Sequence, residues 1–464
     1  MTGTDAPHAA RLAHAALAAG TVARRRSFGP DARRAALASL ERVLRANRAA
    51  IATALRDDLG RDAAETDLVE LLPVLAEIGH ARRHLKRWMR PRVAWPTLST
   101  LGTAARLHPQ AKGVVLILAP WNFPLMLCLS PLVSALAAGN AAVVKPSEMT
   151  PATSALVARL LAEALPPDLV RVVEGGVAVA EALLDLPFDH VFFTGSTAVG
   201  RRVMAAAARH LTPVTLELGG KSPVIVGPDA DIAQAARWIA WGKLLNGGQA
   251  CVAPDHVFVH DSRLAALRAA LIDEMGRMLA GTAPRIVNAR QHARLLALLA
   301  DAGARGARIT PLGQDDPAAL RLAPRLIEGQ TPEMALAGEE IFGPLLPLVP
   351  FADADEAIAA INAAPKPLAL YVFARDGALV ERVRAETSAG SVGVNLTMMA
   401  FAHANLPFGG IGPSGMGAAH GRTGFDTFTH WKPVLRQRFS LLPVLFPPYG
   451  ARVRRLVDAL VRWL

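Results

Sequence analysis

Cysteine is scarce in this chain, with two among 464 residues. Two cysteines cannot form a disulfide framework, and they make a weak case for zinc because a structural zinc site usually takes four ligands. We therefore expect no metal site and a reducing compartment, the cytoplasm. Either cysteine could still be a reactive thiol rather than a small core residue.

Long uninterrupted apolar runs are also lacking, although hydrophobic residues make up 52% of the chain. The nearest approach, LILAPWNFPLMLCLSPLVSALAAG, is broken by three prolines and falls short of the roughly 18 to 20 apolar residues that span a bilayer. We interpret it as soluble core. The amino end has no basic leader before an apolar run, so we expect an Ala-rich helix there and no secretion.

Aromatic residues are few, at 5%, and this bears on the formal net charge of +11. Nucleic-acid binding by a basic chain needs clustered cations, and single-stranded binding also needs aromatic platforms for bases. The arginines here are scattered, with short groups at 24–26 and 452–455. The composition therefore favours a diffuse basic surface and argues against nucleic acid as a partner.

Apolar residues recur at helical spacing over 31–90 and predict two long amphipathic helices. Beyond that stretch, short β-branched runs alternate with Ala- and Leu-rich helical stretches. The predicted strands are 113–119, 141–145, 169–174, 190–194, 214–218 and 222–227, and a second series begins at 256–260. This alternation predicts an α/β fold with Rossmann-like parallel sheets covered by helices. The change near 219–221 is the predicted domain boundary.

One candidate phosphate-binding turn lies in HVFFTGSTAVG, where Gly195, Ser196 and Gly200 come between a strand and a helix. Glycines let a backbone approach a ligand, and a helix amino end offers free N–H groups to a pyrophosphate. The spacing differs from the common dinucleotide fingerprint. An ordinary strand-to-helix turn is equally compatible with this motif.

A second candidate site is VVKPSE, which places Lys145 and Glu148 just after a buried strand. Ligands of open α/β sheets bind at the carboxyl ends of the strands, so this pair could hold the hydroxyls of a ribose. The alternative is a helix start in which Pro146 and Ser147 are cap residues and Glu148 is favoured by the helix dipole.

Three further residues have the chemistry of an acyl-transfer site. Asn122 lies between two prolines that restrict its backbone, which suits an oxyanion donor, although a packed Pro-rich turn is the alternative. Glu217 has apolar neighbours that would raise its pKa and make it a general base, unless it pairs with Lys221. Cys251 is surrounded by small residues in NGGQACVAPD, which leaves room for a substrate.

These residues, taken in order, resemble the aldehyde dehydrogenase superfamily. The resemblance continues through EEIFGPLLPL (339–348), VNL (394–396), LPFGGIGPSGMG (406–417) and HGRTGFDTFTHWKPV (420–434), so that it spans about residues 30–435. The short amino end and the tail after 435 look like the class 3 branch, nearest to the coniferyl-aldehyde type. Cys128 matches no catalytic position of that family, and we expect it to be a core thiol in a helix.

The resemblance assigns a role to each matching position. It implies Cys251 as nucleophile, Glu217 as general base, Asn122 as oxyanion donor with the Cys251 backbone N–H, Lys145 and Glu148 at the adenosine ribose, Gly195, Ser196 and Gly200 at the pyrophosphate, and Glu340 and Phe342 at the nicotinamide ribose. It also implies a homodimer or a dimer of dimers. The domains it implies are an NAD-binding domain (1–91 and 112–219), a catalytic domain (220–411), a small β oligomerisation arm (92–111 and 425–436) and a C-terminal tail (437–464).

The implied reaction is NAD(P)-dependent oxidation of a hydrophobic aldehyde to its carboxylic acid through a cysteine thiohemiacetal and a thioester. Glu148 would bond a free 2′-hydroxyl and repel a 2′-phosphate, so NAD is favoured and NADP stays open. The alternatives are a CoA-acylating relative, a catalytically silent dinucleotide-binding protein, and a thiol hydrolase using a histidine of HVFVH (256–260). How Cys251 is ionised is also open.

Two apolar features bear on substrate and partners. Leu125, Met126, Met398, Met399 and Phe401 predict an apolar tunnel for an aromatic or a medium or long aliphatic aldehyde. The tail combines a Pro-rich stretch with a basic amphipathic segment that contains Arg452, Arg454, Arg455 and Arg462. Such a segment could lie on an anionic membrane, but packing on a partner subunit or gating of the substrate entrance is favoured.

Overall fold

The computed structural model describes residues 6–97, 100–279, 281, 283–440 and 442–463. Its α-helices are α1 (Ala6–Ala19), α2 (Thr21–Ser27), α3 (Pro30–Ala46), α4 (Arg48–Leu59), α5 (Ala63–Thr66), α6 (Leu72–Trp88), α7 (Met126–Ala138), α8 (Pro151–Ala164), α9 (Val177–Leu184), α10 (Thr197–Ala208), α11 (Ile232–Leu244), α12 (Asp261–Leu279), α13 (Ala289–Ala304), α14 (Ala335–Gly338), α15 (Ala354–Ala363), α16 (Gly377–Glu386), α17 (Gly421–Thr427) and α18 (Ala451–Trp463). A π-helical turn lies at Asp67–Leu71, and 3₁₀ turns lie at Leu245–Gly248, Met399–Ala402 and Leu442–Leu445.

The strands are β1 (Arg92–Ala94), β2 (Thr103–Ala111), β3 (Val114–Leu118), β4 (Ala141–Lys145), β5 (Val170–Val172), β6 (His190–Thr194), β7 (Val214–Glu217), β8 (Pro223–Val226), β9 (His256–His260), β10 (Arg308–Pro311), β11 (Arg325–Glu328), β12 (Leu345–Phe351), β13 (Ala369–Phe373), β14 (Ser391–Val394), β15 (Gly415–Met416) and β16 (Thr429–Gln437). Each of the first seven strands predicted from β-branched runs is present within a residue or two of its predicted ends. Their side chains are almost all buried, as expected for strands covered on both faces.

Two α/β sheets form the body of the molecule. The first has the order β15-β7-β6-β3-β4-β5, and all its pairs are parallel except β15 with β7. The second has the order β10-β11-β12-β9-β8-β13-β14, and only β10 with β11 is antiparallel. The chain leaves the first sheet after Glu217 and enters the second at Pro223. The predicted α/β fold with parallel sheets is confirmed.

A third, antiparallel sheet joins β1, β2 and β16. It brings together the segments 92–111 and 429–437, which are far apart in sequence, whereas residues 425–427 of the predicted arm are the end of helix α17. The pairing is long, since β16 matches β2 from Thr429 with Ala111 to Gln437 with Thr103. The exact domain boundaries, and the role of this sheet in assembly, remain predictions.

The amino-terminal helices differ from the two long helices predicted for 31–90. Asn47 ends α3, where its side-chain amide donates to the carbonyl of Val43, and Gly60 ends α4 in the left-handed conformation. The π turn at Asp67–Leu71 then interrupts the second predicted helix before α6. Apolar spacing detected the buried face but not these breaks, because side-chain caps and a π turn do not change the helical period strongly.

The most apolar stretch of the sequence forms β3 and α7, which are buried as predicted. Cys128 is fully buried within α7, as expected of a core thiol. None of the helices in the described part of the chain is both long and apolar enough to cross a membrane. Residues 1–5, which precede the Ala-rich helix α1, lie outside the described residues.

Candidate active site

The candidate residues lie at the carboxyl ends of neighbouring strands of the first sheet. Asn122 follows β3, Lys145 ends β4, Gly195 follows β6 and Glu217 ends β7. Parallel pairing aligns these ends, since Leu118 lies opposite Lys145 and Thr194 opposite Glu217. The sheet therefore gathers residues nearly a hundred positions apart at one edge, where α/β proteins bind ligands.

Cys251 reaches this edge from a turn between α11 and β9. The turn bends sharply because Asn246, Gly247 and Gly248 all adopt positive φ, at 49°, 62° and 74°. A Cβ on Gly248 would lie 2.4 Å from the carbonyl oxygen of Gly343, so this position requires glycine. The side chain of Gln249 fastens the turn by accepting from the Val287 N–H (3.0 Å) and donating to the Arg285 carbonyl (3.0 Å). Cys251 is left partly exposed.

The Asn122 turn is joined directly to the Cys251 turn. The side-chain amide of Asn122 donates to the carbonyl of Gln249 at 3.2 Å, two residues before the cysteine. The side chain of Asn246 donates in return to the Asn122 carbonyl at 2.9 Å. A carboxamide nitrogen has two hydrogens, so the Asn122 amide keeps a second one for another acceptor.

A buried ion pair holds the same turn from the amino-terminal helices. Arg61 donates to the Asn122 carbonyl (2.8 Å) and to the Glu70 carboxylate (2.5 Å). Glu70 also accepts from the backbone N–H of Met126 at 2.7 Å, at the start of α7. Both side chains are almost completely buried, and Glu70 belongs to the π turn. Sequence reasoning missed this pair because only the tertiary fold brings it to Asn122.

Glu217 is buried, with 6% of its surface exposed, and no hydrogen bond to either carboxylate oxygen is present among the described residues. Burial raises its pKa well above the ordinary range. The alternative of a structural pair with Lys221 is wrong. Lys221 bonds Asp255 at 2.5 Å and the carbonyls of Leu336 and Glu339 instead.

The thiol of Cys251 also has a raised pKa, about 12, because of burial first and then the nearby carboxyl groups of Glu340 and Glu217. Burial likewise raises the pKa of Glu340 to about 7. Two poorly solvated acids next to a thiol oppose its ionisation. In this state the site holds a neutral thiol, and a thiolate requires a proton acceptor at the site.

Two cavities meet at Cys251. The first is apolar and is lined by Leu68, Val69, Pro73, Phe123, Met126, Leu127, Ser130, Pro131, Phe192, Thr194, Glu217, Trp241, Leu245, Cys251, Val252, Met398, Met399, Phe401, Ala402, Phe408, Ala419 and His420. The second is more polar and is lined by Pro120, Trp121, Asn122, Thr194, Gly195, Ser196, Glu217, Leu218, Gly219, Cys251, Gln291, Arg294, Glu339, Glu340 and Phe342. Thr194, Glu217 and Cys251 lie on both, so the sulfur is accessible from two directions.

The predicted tunnel residues lie on the apolar cavity with one exception. Met126, Met398, Met399 and Phe401 line it, whereas Leu125 is fully buried in the core and does not. Three further residues line this cavity and were not predicted to do so: Trp241, Phe408 and His420, which lie in three different segments. Their only signal was a large side chain near a motif, which packing explains equally well.

The predicted cofactor residues are divided between the polar cavity and the sheet edge beside it. Gly195, Ser196, Glu340 and Phe342 line the cavity. Ser196 caps α10 by accepting from the Val199 N–H at 3.4 Å. The motif suggested that Gly200 belongs to the turn, but it is the fourth residue of α10. A Cβ at this position would lie 2.7 Å from the Leu218 side chain. The glycine allows the helix to pack closely on the sheet.

Lys145 and Glu148 lie at the end of β4 and do not line either cavity. The Lys145 ammonium bonds the Glu148 carboxylate at 3.0 Å and the Pro146 carbonyl at 2.9 Å. The helix that follows begins at Pro151, with Thr150 as its N-cap. The alternative in which Pro146 and Ser147 cap a helix is therefore wrong, and the segment 146–149 forms a separate turn at the sheet edge.

The histidines of HVFVH do not serve Cys251. His256 is buried beside Asp255, with 3.1 Å between its Nδ1 and the carboxylate, and Nδ1 of His260 lies 2.8 Å from the Ser262 hydroxyl. Neither residue lines a cavity that contains the sulfur. A thiol hydrolase built on these histidines is therefore wrong.

Comparison with known proteins agrees with this geometry. The family model described as the aldehyde dehydrogenase family matches residues 1–434. The chain belongs to the aldehyde dehydrogenase family. It is 44% identical over 415 residues to a probable coniferyl aldehyde dehydrogenase of Pseudomonas aeruginosa, covering 87% of this chain and 86% of that protein. It is 43% identical over 420 residues to aldehyde dehydrogenase family 3 member H1 of Arabidopsis thaliana, covering 89% and 86%.

A solved structure described as the substrate-bound state of Staphylococcus aureus AldH has the same fold. Its TM-score is 0.92 at 38% identity, over 97% of this chain and 99% of that one. The predicted family, including its class 3 branch, is confirmed. The protein is an NAD(P)-dependent aldehyde dehydrogenase.

Replacing Arg61 by Ala is expected to destabilise the protein by about 3 kcal/mol, because Glu70 would remain buried without its cation. The matched control is Arg48→Ala. Arg48 also pairs with an acid of this segment, Asp67, but its side chain is 70% exposed, so we expect a much smaller loss of stability. Chemical denaturation measures both, and equal effects would contradict a structural role for the buried pair.

Alkylation of Cys251 by iodoacetamide, without cofactor, is expected to be slow near neutral pH and to rise about tenfold per pH unit, because only the thiolate reacts and burial raises its pKa. Intact mass spectrometry measures the rate over the pH range in which the protein stays folded. Cys251→Ala is the control and should remain unlabelled, since Cys128 is fully buried. A rate that levels off near pH 8 would disprove the raised pKa.

Proposed function

We propose that Cys251 attacks the aldehyde carbon and forms a thiohemiacetal, which loses a hydride and a proton to become a thioester and is then hydrolysed to the carboxylic acid. The observation that carries this proposal is the position of Cys251 at the junction of the two cavities. An aldehyde in the apolar cavity can reach the sulfur from one side. A nicotinamide in the polar cavity can lie on the other.

The oxyanion formed by the attack is held by the chain itself. The second amide hydrogen of Asn122 and the Cys251 backbone N–H are the proposed donors, and loss of one such donor typically costs roughly 3 to 4 kcal/mol. Support comes from the bond that ties the Asn122 amide to the Cys251 turn. The Arg61–Glu70 pair holds the same turn without contacting the substrate.

Glu217 is the proposed general base. Its carboxyl group lies on both cavities and has no competing hydrogen bond within the described residues. A raised pKa makes the ionised carboxylate a stronger base, so Glu217 in its ionised form can accept a proton from the thiol or from the hydrolytic water. A water activated in this way completes hydrolysis without CoA.

The polar cavity fits a nicotinamide cofactor. The wall of this cavity needs a small residue at Gly219, because a Cβ there would lie 2.3 Å from Glu340. Ser196, the N-cap of α10, also lines the cavity, so the amino end of that helix lies beside it. Gly195 and Ser196 would hold the pyrophosphate, while Glu340 and Phe342 would hold the nicotinamide ribose. When bound, the cofactor supplies the hydride acceptor. Residues of this chain position the aldehyde, move the protons and limit water.

Glu148 and Lys145 are the proposed contacts of the adenosine ribose. Because Glu148 is bonded to Lys145, its carboxylate already lies beside a cation and can still accept from ribose hydroxyls. A 2′-phosphate would be repelled by Glu148 and attracted by Lys145. We therefore propose NAD as the preferred cofactor, with NADP accepted more weakly.

The substrate is proposed to be a hydrophobic aldehyde, aromatic or medium to long aliphatic. The cavity is lined mainly by apolar side chains, and methionines and aromatic residues form much of its wall. The coniferyl aldehyde in the name of the Pseudomonas relative is an aromatic aldehyde of suitable size. The reducing cytoplasm is the proposed compartment, consistent with two free cysteines.

Assembly through the antiparallel arm is proposed to give a homodimer or a dimer of dimers. Apolar side chains on this arm are strongly exposed in the single chain, among them Val93, Trp95 and Leu435. Such a surface is usually covered by a partner. We propose that the amphipathic helix α18, whose residues 451–462 are exposed in this single chain except for the partly buried Val453, also packs on the partner.

Replacing Cys251 by Ala is expected to abolish aldehyde oxidation while NAD still binds, because the polar cavity keeps its other residues. Turnover is followed as NADH absorbance with a panel of aldehydes, and NAD binding by calorimetry. Cys128→Ala, which changes the other cysteine, should keep turnover. Oxidation by the Cys251→Ala variant would refute the nucleophile.

Truncation at Pro443 is expected to weaken subunit association, because it removes α18 and its exposed Leu456, Val457 and Val461. Sedimentation of the full and truncated chains measures this. Flotation with anionic liposomes tests the membrane alternative. Flotation of the full chain only, without a change in association, would contradict the proposal.

A further inference from the structure

His420 is a polar residue in the wall of the apolar cavity. It lies between β15 and α17, on a segment separate from those that carry Cys251 and Glu217. Its ring packs edge to face against Phe401 at 6.1 Å and Phe408 at 5.6 Å between centroids, and both phenylalanines line the same cavity. The imidazole is thus part of an aromatic wall.

The backbone holds His420 in an unusual conformation. Its φ is 72°, which is strained for a residue with a side chain. The next residue is fixed on both sides, since the Gly421 N–H donates to Glu77 at 2.8 Å and a Cβ on Gly421 would lie 2.0 Å from the Ala404 carbonyl oxygen. Strain that the surroundings maintain often marks a functional position.

The ring nitrogens of His420 make no hydrogen bond within the described part of the chain. The nearest acid is Glu77, 3.9 Å from Nδ1, which is beyond hydrogen-bond distance. Burial lowers the pKa of His420 to about 4, so the ring is neutral near pH 7 and has one N–H donor and one acceptor nitrogen. A neutral group of this kind suits a hydroxyl better than a charged ligand.

Other polar groups of this cavity have different surroundings. Thr194, Glu217 and Cys251 lie where the two cavities meet and belong to the reacting end. Ser130 and His420 line the apolar cavity but not the polar one. An aldehyde that reacts at Cys251 would place the apolar part of its structure against the second group, Ser130 and His420.

We propose that His420 is a specificity-determining residue that hydrogen-bonds a hydroxyl on the apolar part of the aldehyde, and so favours phenolic over unsubstituted aromatic aldehydes. This inference rests on the proposed function, because it requires an aldehyde in the apolar cavity. One neutral hydrogen bond changes an equilibrium by about 3- to 10-fold. That factor is the expected preference.

The experiment compares kcat/KM of the full chain with NAD for cinnamaldehyde and for its 3-hydroxy and 4-hydroxy derivatives. Wild type is expected to favour the better hydroxylated substrate by about 3-fold or more. His420→Phe should remove the preference, and His420→Gln, which keeps a donor and an acceptor, should retain much of it. Phe401→Leu is the matched control, which changes the same wall without removing a polar group and should preserve the ratio.

A ratio of one or less in wild type overturns the proposal without any variant, so a misfolded His420→Phe does not protect it. An equal ratio in wild type and a folded His420→Phe overturns it as well. If wild type oxidises none of these aldehydes, the proposed function fails separately. Calorimetric binding of cinnamate and its hydroxylated forms to wild type and His420→Phe then decides the role of His420 by the same ratio.

Discussion

Desolvation of two acids, the partly exposed Cys251 thiol and the buried Glu217 carboxyl, which accepts no hydrogen bond from the described residues, sets the chemistry of this site. Removal from water raises the pKa of both groups, and their proximity to each other and to Glu340 adds to the effect on Cys251. Such burial without hydrogen-bond partners is unfavourable for folding, so it persists only where the surrounding structure is rigid enough to keep water from the carboxyl group. It also makes the ionised form of Glu217 a stronger base, so the desolvation that suppresses the thiolate strengthens the proposed proton acceptor.

The fold supplies that rigidity through buried pairs placed around the site rather than in it. Arg61 and Glu70 hold the Asn122 turn, and Lys221 with Asp255 holds the base of β9 and the Glu340 segment, where Asp255 also accepts from the Ile341 N–H at 2.9 Å. Burial alone would raise the pKa of Asp255, but the neighbouring Lys221, His256 and Lys243 lower it well below its usual range. Lys221, whose charge could have neutralised Glu217, is thereby bound to Asp255.

Much of this arrangement could be predicted from the sequence, because β-branched runs indicate the parallel strands, and the carboxyl ends of parallel strands meet at one edge of the sheet. Asn122, Gly195 and Glu217 were found in this way, and the ordered motifs identified the family. The sequence could not show that Lys221 bonds Asp255 or that Gly200 lies within α10. It also could not show that Arg61 contacts the Asn122 turn or that His420 lines the apolar cavity. Those facts depend on contacts between distant segments, which leave no local pattern. The π turn that carries Glu70 was missed because it shifts the helical period by only one residue.

In the proposed mechanism, an acyl group passes through the Cys251 sulfur, and Glu217 activates the water that removes it. The most direct measurement uses the Glu217→Gln variant, mixed with NAD and an aromatic aldehyde, quenched in acid and digested for mass spectrometry. In protein that has formed NADH, we expect the peptide containing Cys251 to gain the mass of the acyl group, as a thioester that accumulates because hydrolysis is slowed. An unmodified Cys251 in a variant that has formed NADH, or an acyl group on Cys128, would contradict it.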